Sequence, residues 1–217
     1  MPTLPNDARP LAERVYEQIS TEIINGQIAA GSALVQEQIG THFGVSRTPV
    51  RDALTRLTHE GLATLVPGQG YIVNNLTDQD VAQVYEVRRV LESLAAQQAC
   101  GMHTPLQLLR LRGLIDESEL LDPDDATELF RLSRKFHAGL IEPCPNSYLL
   151  GILDSIWAHP IQLRITMTYQ QGREHQTKVV ADHRRVLQAL TDADVNGLTA
   201  ALTACHDASD LRAGGAS

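Results

Sequence analysis

The feature that most constrains the fold is the segment GVSRTPVRDAL at 44–54. Gly44 can adopt the positive φ that a tight turn between two helices requires, and Ser46 is a favourable N-cap. Pro49 falls in the first turn of the following helix, where a missing N–H costs no hydrogen bond. Apolar residues then recur at i, i+4 and i+7 and should face inward: Val50, Leu54 and Leu57. The segment therefore predicts a turn followed by an amphipathic helix.

The flanking residues complete a known supersecondary motif. A polar–apolar helix pattern at 36–43 precedes the turn, and residues 62–66 and 71–73 read as two short strands. Pro-Gly-Gln-Gly at 67–70 suits a type II turn between these strands. Helix, turn, helix and hairpin in this order indicate a winged helix-turn-helix, which is a DNA-binding fold.

The outer face of the second helix carries the candidate DNA contacts. The residues left on this face are Arg47, Thr48, Arg51 and Thr55. Two guanidinium groups one turn apart, with hydroxyls between them, suit phosphate contacts and bidentate hydrogen bonds to guanine in the major groove. Gln69 and Gly70, at the hairpin tip, can approach a minor groove closely. The alternative is that the arginines are ordinary solvated charges and the hairpin is only structural.

GVSRTPVRDAL, together with IINGQIAAGSAL at 23–34, resembles the DNA-binding domain of GntR-type bacterial transcription regulators. The resemblance covers roughly residues 9–75 and implies binding to double-stranded operator DNA. Two residues depart from the family pattern. Ala30 stands where the family usually has Pro, and Glu37 stands where an Arg often contributes to DNA contact. The second departure leaves one phosphate or base contact without its usual residue.

Composition fits a cytoplasmic regulator of two small domains, since the chain has 217 residues. It shows neither a signal-like N-terminus nor an apolar run of membrane-spanning length, so we expect neither export nor membrane insertion. Three widely spaced cysteines without a CxxC pair indicate reduced thiols: Cys100, Cys144 and Cys205.

The charge of the chain limits how DNA could be bound. The formal net charge is −8, and residues 1–75 carry five arginines against seven acidic residues, a net charge of −2. Binding must therefore depend on a local basic cluster rather than on bulk charge. We expect modest affinity for non-specific DNA and a homodimer that engages two half-sites.

After a polar linker at 74–77 the sequence predicts an all-α bundle. Thr77 or Asp78 can cap the first helix, and breakers rich in Gly, Pro, Asn and Asp separate six or so helices without a strand pattern. The predicted fold class is mainly α, with a winged helix-turn-helix domain at 9–75 and an all-α domain at 78–212.

The first helix of this bundle places charges on its apolar face. The face contains Val81, Val84, Tyr85, Leu91, Ala95 and Ala99, with Arg88 and Glu92 in its middle. A buried cation needs a partner. Two partners remain open for Arg88: Glu92, one turn along, or the carboxylate of a bound ligand.

Three histidines lie on the predicted inner faces of other helices: His137, His183 and His206. Each one alone is typical of a core histidine with a hydrogen-bond partner. Together, on facing helices, they can converge on one metal ion. The remaining histidines are assigned to the surface or to packing: His42, His59, His103, His159 and His175.

Five segments of the bundle resemble the FCD domain in their order and spacing. The FCD domain is the ligand-binding bundle of the FadR branch of GntR regulators. The segments are EVRRVLE at 86–92, LSRKFHAGL, CPNSYLL, ADHRRVLQAL and ALTACHD. In that family an Asp and three His often hold a divalent metal. The corresponding residues are Ser133, His137, His183 and His206. Because Ser133 is neutral, the resemblance leaves open a metal held by three imidazoles with water or effector, or no metal. Imidazole ligands suit zinc or nickel.

The FCD resemblance also implies a small carboxylate effector. A metal beside Arg88 would take one carboxylate oxygen, and the guanidinium would take the other. Arg164 is a second candidate, for the far end of the ligand, or else an arginine at a rim or interface. Asn146 matches a family position and is read mainly as the N-cap of the next helix, with a pocket role as the alternative.

The predicted function is a homodimeric, ligand-responsive transcription regulator, most often a repressor in this family. The effector would shift an equilibrium between arrangements of the DNA-binding heads. Two alternatives remain open. The bundle could serve only dimerisation, with Arg88 paired to Glu92. A metal-dependent hydrolase could use the same histidines, but no general base stands out beside them, so we predict that the protein is not an enzyme.

Overall fold

The computed structural model describes residues 8–207, so the end of the predicted domain at 212 lies outside the described residues. The chain divides into two compact units between Leu76 and Thr77. The fold class predicted from the sequence is confirmed: the described residues are mainly helical, with one small antiparallel sheet in the N-terminal unit.

The N-terminal unit is a three-helix domain with a small sheet. Its elements are α1 (Leu11–Ile24), β1 (Ala33–Leu34), α2 (Gln36–Phe43), α3 (Arg47–His59), β2 (Ala63–Val66) and β3 (Gly70–Val73). The antiparallel strand order is β1-β3-β2. The hairpin of β2 and β3 agrees with the sequence prediction. The sequence pattern did not reveal β1, because two residues are too few to show the alternation of a strand.

The turn between α2 and α3 has the predicted geometry at its glycine. Gly44 ends α2 with φ 65°, in the left-handed region. Ser46 occupies the N-cap position of α3, as predicted, although its side chain makes no capping hydrogen bond within the described residues. In the hairpin, Gly68 has φ 78°, and the Gln69 N–H donates to the Val66 carbonyl at 3.0 Å, as a type II turn requires.

The C-terminal unit is all-helical over its described residues. Its helices are α4 (Asp78–Ala99), α5 (Pro105–Leu120), α6 (Ala126–Ile141), α7 (Ser147–Ala158), α8 (Pro160–Tyr169), α9 (Gly172–Thr191) and α10 (Val195–Cys205). Its core contains fully buried Leu132, Leu153, Leu198 and Leu202. The helix α4 packs against α6, α7 and α10, so its inner face lies at the centre of the bundle.

Thr77 begins α4 with a capping box. Its Oγ1 accepts a hydrogen bond from the Asp80 N–H at 3.2 Å, and Asp80 Oδ2 accepts one from the Thr77 N–H at 2.9 Å. Two N–H groups that the helix leaves unpaired are thereby satisfied. Within residues 8–207, none of the helices combines the length and the hydropathy needed to cross a membrane.

Replacing Thr77 by Ala should lower the free energy of unfolding of the helical unit by about 1 kcal/mol, because the cap is lost. Urea unfolding followed by fluorescence of Trp157, the only tryptophan, reports on this unit. Thr203→Ala is the control, since Thr203 is an exposed residue inside α10. Equal losses in both variants would contradict a specific role for the cap.

Candidate functional site

The face of α3 predicted to contact DNA is exposed. Arg47, Thr48, Arg51 and Thr55 are all exposed, whereas Val50, Leu54 and Leu57 are 0% exposed. The structure thus places the four polar side chains on one outer surface. The Thr55 hydroxyl donates to the Arg51 carbonyl at 2.9 Å, which leaves its oxygen free only as an acceptor.

An acidic residue lies beside this surface. Glu37 on α2 is 3.4 Å from Arg47, with both side chains more than 70% exposed, and Arg51 lies 3.8 Å from its neighbour Asp52. Exposed ion pairs of this kind contribute little to stability. They do reduce the local positive potential that a phosphate would meet. Gln69 and Gly70 are exposed at the hairpin tip, as predicted.

The helical unit contains a cavity of about 530 Å³. Polar residues from four helices and from the end of α10 line it, among them Arg88, His137, Gln162, His183, Cys205 and His206. The structure therefore brings Arg88 and the three predicted histidines to one place. Their helices are distant in sequence, so the cavity is a product of the tertiary fold.

The carboxylate of Glu92 lies at the centre of the polar cluster and is 0% exposed. Its Oε1 accepts hydrogen bonds from Arg88 Nε at 2.9 Å and from Trp157 Nε1 at 2.7 Å. Glu92, one of the two partners considered for Arg88, is thus in direct contact with it. Arg88 Nη1 also donates to Gln162 Oε1 at 3.1 Å.

The second oxygen of Glu92 faces two histidines. Oε2 lies 2.7 Å from His137 Nδ1 and 3.0 Å from His206 Nε2. Burial alone would raise the pKa of Glu92, but Arg88, His206 and His137 hold that pKa well below its usual value. Glu92 is therefore an anion in the interior. The sequence indicated its contact with Arg88, but gave no signal for its contacts with the histidines.

The three histidines form a contiguous cluster. The ring centroid of His137 lies 5.2 Å from that of His183 and 5.3 Å from that of His206. Ser133, at the position of the family's Asp, has its Oγ 3.5 Å from His183 Nε2. The ligand atoms fall into two overlapping groups, each within 4.8 Å: His137, His183 and Cys205, and Glu92, His137 and His206.

Several buried atoms of this cluster have no hydrogen-bond partner among residues 8–207. They are Glu92 Oε2, His137 Nδ1, His183 Nδ1 and His206 Nε2, whose short contacts lack hydrogen-bond geometry. His206 Nδ1, in contrast, lies 2.8 Å from the Leu202 carbonyl. Burial lowers the pKa values of His137 and His183, which favours neutral imidazoles with lone pairs available to a cation.

Asn146 lies where the sequence analysis placed it, at the N-cap of α7, whereas Arg164 and His175 do not lie where it placed them. Asn146 caps α7, where its Oδ1 accepts from the Leu149 N–H at 3.1 Å, and it is not among the described residues that line the cavity. Arg164 is only 8% exposed, so it is not a rim residue, and it does not line the cavity either. His175, assigned to surface or packing, lines the cavity, and burial lowers its pKa to about 4.

Comparison with known protein families agrees with both units. The model described as bacterial regulatory proteins of the gntR family matches residues 11–73, and the model of the FCD domain matches residues 83–208. This chain belongs to the GntR family. It is a GntR regulator with a C-terminal FCD domain, as the sequence motifs predicted.

Individual relatives support the same assignment. The HTH-type transcriptional regulator YdhC of Bacillus subtilis (strain 168) is 28% identical over 82% of this chain and 80% of its own length. The HTH-type transcriptional repressor RspR of Escherichia coli (strain K12) is 27% identical over 91% and 86%. The structure of E. coli McbR/YncC has a TM-score of 0.66 at 21% identity, covers 91% of this chain and 94% of that one, and shows the fold alone. The protein is a DNA-binding transcription regulator and not an enzyme.

Glu37→Gln should raise the affinity for random-sequence duplex DNA by up to about fivefold, because it frees Arg47 from an exposed ion pair worth at most about 1 kcal/mol. The salt dependence of binding should steepen as Arg47 takes up a phosphate contact. Both are measured by fluorescence anisotropy over a range of salt concentrations. Glu86→Gln, an exposed glutamate of the other unit, is the control. Unchanged affinity and salt slope in Glu37→Gln would rule out this effect.

Proposed function

We propose that this GntR regulator is a repressor of the FadR branch whose operator binding is controlled by a small organic acid in the cavity of the FCD domain. The observation that carries the proposal is the convergence of a buried guanidinium, an amide and three histidines on one cavity. The name of RspR supports the repressor assignment. The effector would act through the difference in its affinity for two arrangements of the DNA-binding heads, typically worth about 1–3 kcal/mol.

The cavity offers hydrogen-bond donors that suit a carboxylate. Arg88 uses Nε and Nη1 for Glu92 and Gln162, whereas its Nη2 has no hydrogen-bond partner among the described residues. The Nε2 group of Gln162 is buried and also lacks a partner. A buried donor without a partner is costly, so a ligand that accepts from it gains free energy. A carboxylate accepts from both groups and carries the charge opposite to that of Arg88.

A divalent metal fits the histidine cluster. His137 belongs to two groups of candidate ligand atoms, one with Glu92 and His206 and one that includes His183, and the atoms of each group lie within 4.8 Å of one another. His137, His183 and His206 would hold the metal, with Glu92 close by. Imidazole ligands favour zinc or nickel. When bound, the metal would supply a Lewis-acid position for one oxygen of the effector.

The effector proposal is tested by thermal melting of the full chain against a panel of small carboxylic acids, each with and without EDTA. An acid at 100 times its Kd should stabilise the protein by about 2.7 kcal/mol. EDTA should abolish this shift if the metal takes part. If no acid shifts the melting temperature, the alternative holds that the bundle is only a dimerisation device, with Arg88 paired to Glu92.

Gln162→Glu separates ligand binding from the packing of Arg88. The new carboxylate can still accept from Arg88 Nη1, but it replaces the free amide donor with a negative charge that repels an acid. The apparent affinity for the acid identified in the panel should fall at least tenfold, which is a loss of about 1.4 kcal/mol of binding free energy. Gln97→Glu, an exposed position on α4, is the control. Equal acid binding by the two variants would contradict this role of Gln162.

The homodimer is proposed from an apolar face of α4. Val87, Val90 and Leu94 are 49%, 56% and 43% exposed and recur at i, i+3 and i+7 on one side of the helix. The adjoining helix α7 exposes Ile152 as well. An exposed apolar face of this kind is typical of an interface, and the two half-sites of an operator call for two DNA-binding heads.

Val90→Glu should therefore shift the protein from dimer to monomer, because a charge buried in the interface without a partner is costly. Sedimentation velocity over a range of concentrations measures the effect. Gln69→Glu adds the same charge at the exposed hairpin tip of the N-terminal unit, which is a different unit from that of α4, and should leave the dimer intact. A Val90→Glu protein that sediments as the wild type would place the interface elsewhere.

A further inference from the structure

We propose that Cys205 is a metal ligand in this protein and supplies the anionic group that Ser133 no longer provides. The inference rests on the proposed metal site, and it adds a thiolate to the imidazoles of His137 and His183, with which Cys205 shares one group of candidate ligand atoms. Neither the histidine pattern nor the FCD resemblance identified this residue. The site would then be a mixed nitrogen and sulfur centre, with a preference for zinc over metals that favour oxygen ligands.

The position of Cys205 is the first argument. Its Sγ lies 3.9 Å from His137 Nε2, and the ligand atoms of Cys205, His137 and His183 all lie within 4.8 Å of one another. In a tetrahedral zinc site with Zn–S near 2.3 Å and Zn–N near 2.05 Å, sulfur and nitrogen ligands are about 3.6 Å apart. The Cys205 Sγ and His137 Nε2 atoms thus need to approach by only about 0.3 Å, and the other separations, which are at most 4.8 Å, by about 1.5 Å or less.

The orientation of His137 is the second argument. Its Nε2 faces Cys205, whereas its Nδ1 faces Glu92 Oε2 at 2.7 Å. A histidine that presents one nitrogen to a metal generally presents the other to a carboxylate, which fixes the ring and raises its basicity. Glu92, held by Arg88 and Trp157, is in the place of that carboxylate. The ion is therefore expected on the side of His137 that Cys205 occupies.

The charge of the site is the third argument. Ser133 is close enough to take part, at 3.5 Å from His183 Nε2, but a neutral hydroxyl leaves the full charge of a divalent ion among neutral imidazoles. Isolated charge in a protein interior is costly. A thiolate on the ion removes one unit of that charge at a buried position. Cys100 and Cys144 do not belong to either group of candidate ligands, so Cys205 is the cysteine that fits among the described residues.

Cobalt(II) is the probe, because its thiolate complexes absorb by sulfur-to-metal charge transfer in the near ultraviolet and its imidazole complexes do not. The full chain, freed of metal with a chelator, is titrated with cobalt(II) and followed by absorption and by equilibrium dialysis. We expect one cobalt per chain and a charge-transfer band. Cys144→Ser, which removes a buried thiol away from the cluster, is the control and should keep both.

Cys205→Ser should lose the band and bind cobalt at least about tenfold more weakly. Loss of a residue that only supports a metal ligand already lowers metal affinity by about 10–100-fold, so loss of a ligand should cost no less. Cys205→Asp restores an anionic ligand and should recover affinity without the band. Melting curves show that each variant is folded, and Cys205→Asp keeps the test valid if the serine variant is not.

The outcomes separate this inference from the proposed metal site. Stoichiometric cobalt binding without a charge-transfer band in the wild type would overturn the role of Cys205 and leave the histidine site standing. A band that persists in Cys205→Ser would also overturn it. Failure of the wild type to bind cobalt at all would remove both.

Discussion

The C-terminal domain depends on the complete burial of one carboxylate, that of Glu92. Groups from α4, α7 and α6, and His206 at the end of α10, lie against its two oxygens, and Arg88 extends the contacts to Gln162 on α8. An ionised group in a protein interior is tolerated only when opposite charges and hydrogen-bond donors compensate nearly all of its lost hydration. Breaking a buried ion pair costs about 3–5 kcal/mol. The helices are therefore held in one relative placement by a charge and not only by apolar contact.

This constraint also links the cavity to the packing of the bundle. Arg88 faces the cavity and at the same time donates to Glu92, so a ligand on the guanidinium would act on the same charge that holds the helices. A cation among the histidines would do so from the opposite oxygen. Binding at either place changes the electrostatic balance at Glu92, which offers a physical route from a small ligand to a rearrangement of helices.

Local chemistry explains what could be predicted from the sequence. The turn needs a left-handed glycine, which Gly44 supplies, and Asn146 caps a helix through a bond that spans three residues. Such features depend on neighbours in the chain. The helical spacing of apolar residues, which places Arg88 and the three histidines on inner faces, is equally local. The fold class and the convergence of these residues followed from them.

What the sequence did not reveal depends on contacts between distant segments. The two-residue β1 exists only because β3 pairs with it. Glu92 was assigned a partner four residues away, whereas its histidine contacts come from α6 and from the end of α10. Cys205 and His206 are neighbours in the chain and would diverge within a regular helix, but α10 ends between them, and both reach the cluster. No local pattern encodes the termination of a helix beside a cavity.

The acidic residues beside the exposed face of α3, Glu37 and Asp52, bear on how this regulator would be distributed in a cell. A chromosome offers roughly 10⁶–10⁹ competing sites, and a strongly basic domain would be held mostly on irrelevant sequence. With Glu37 beside Arg47 and a net charge of −2 over residues 1–75, we expect each such encounter to be weak and brief. We therefore expect a larger share of the protein to stay off non-specific DNA, and fewer copies to be needed to occupy the operator.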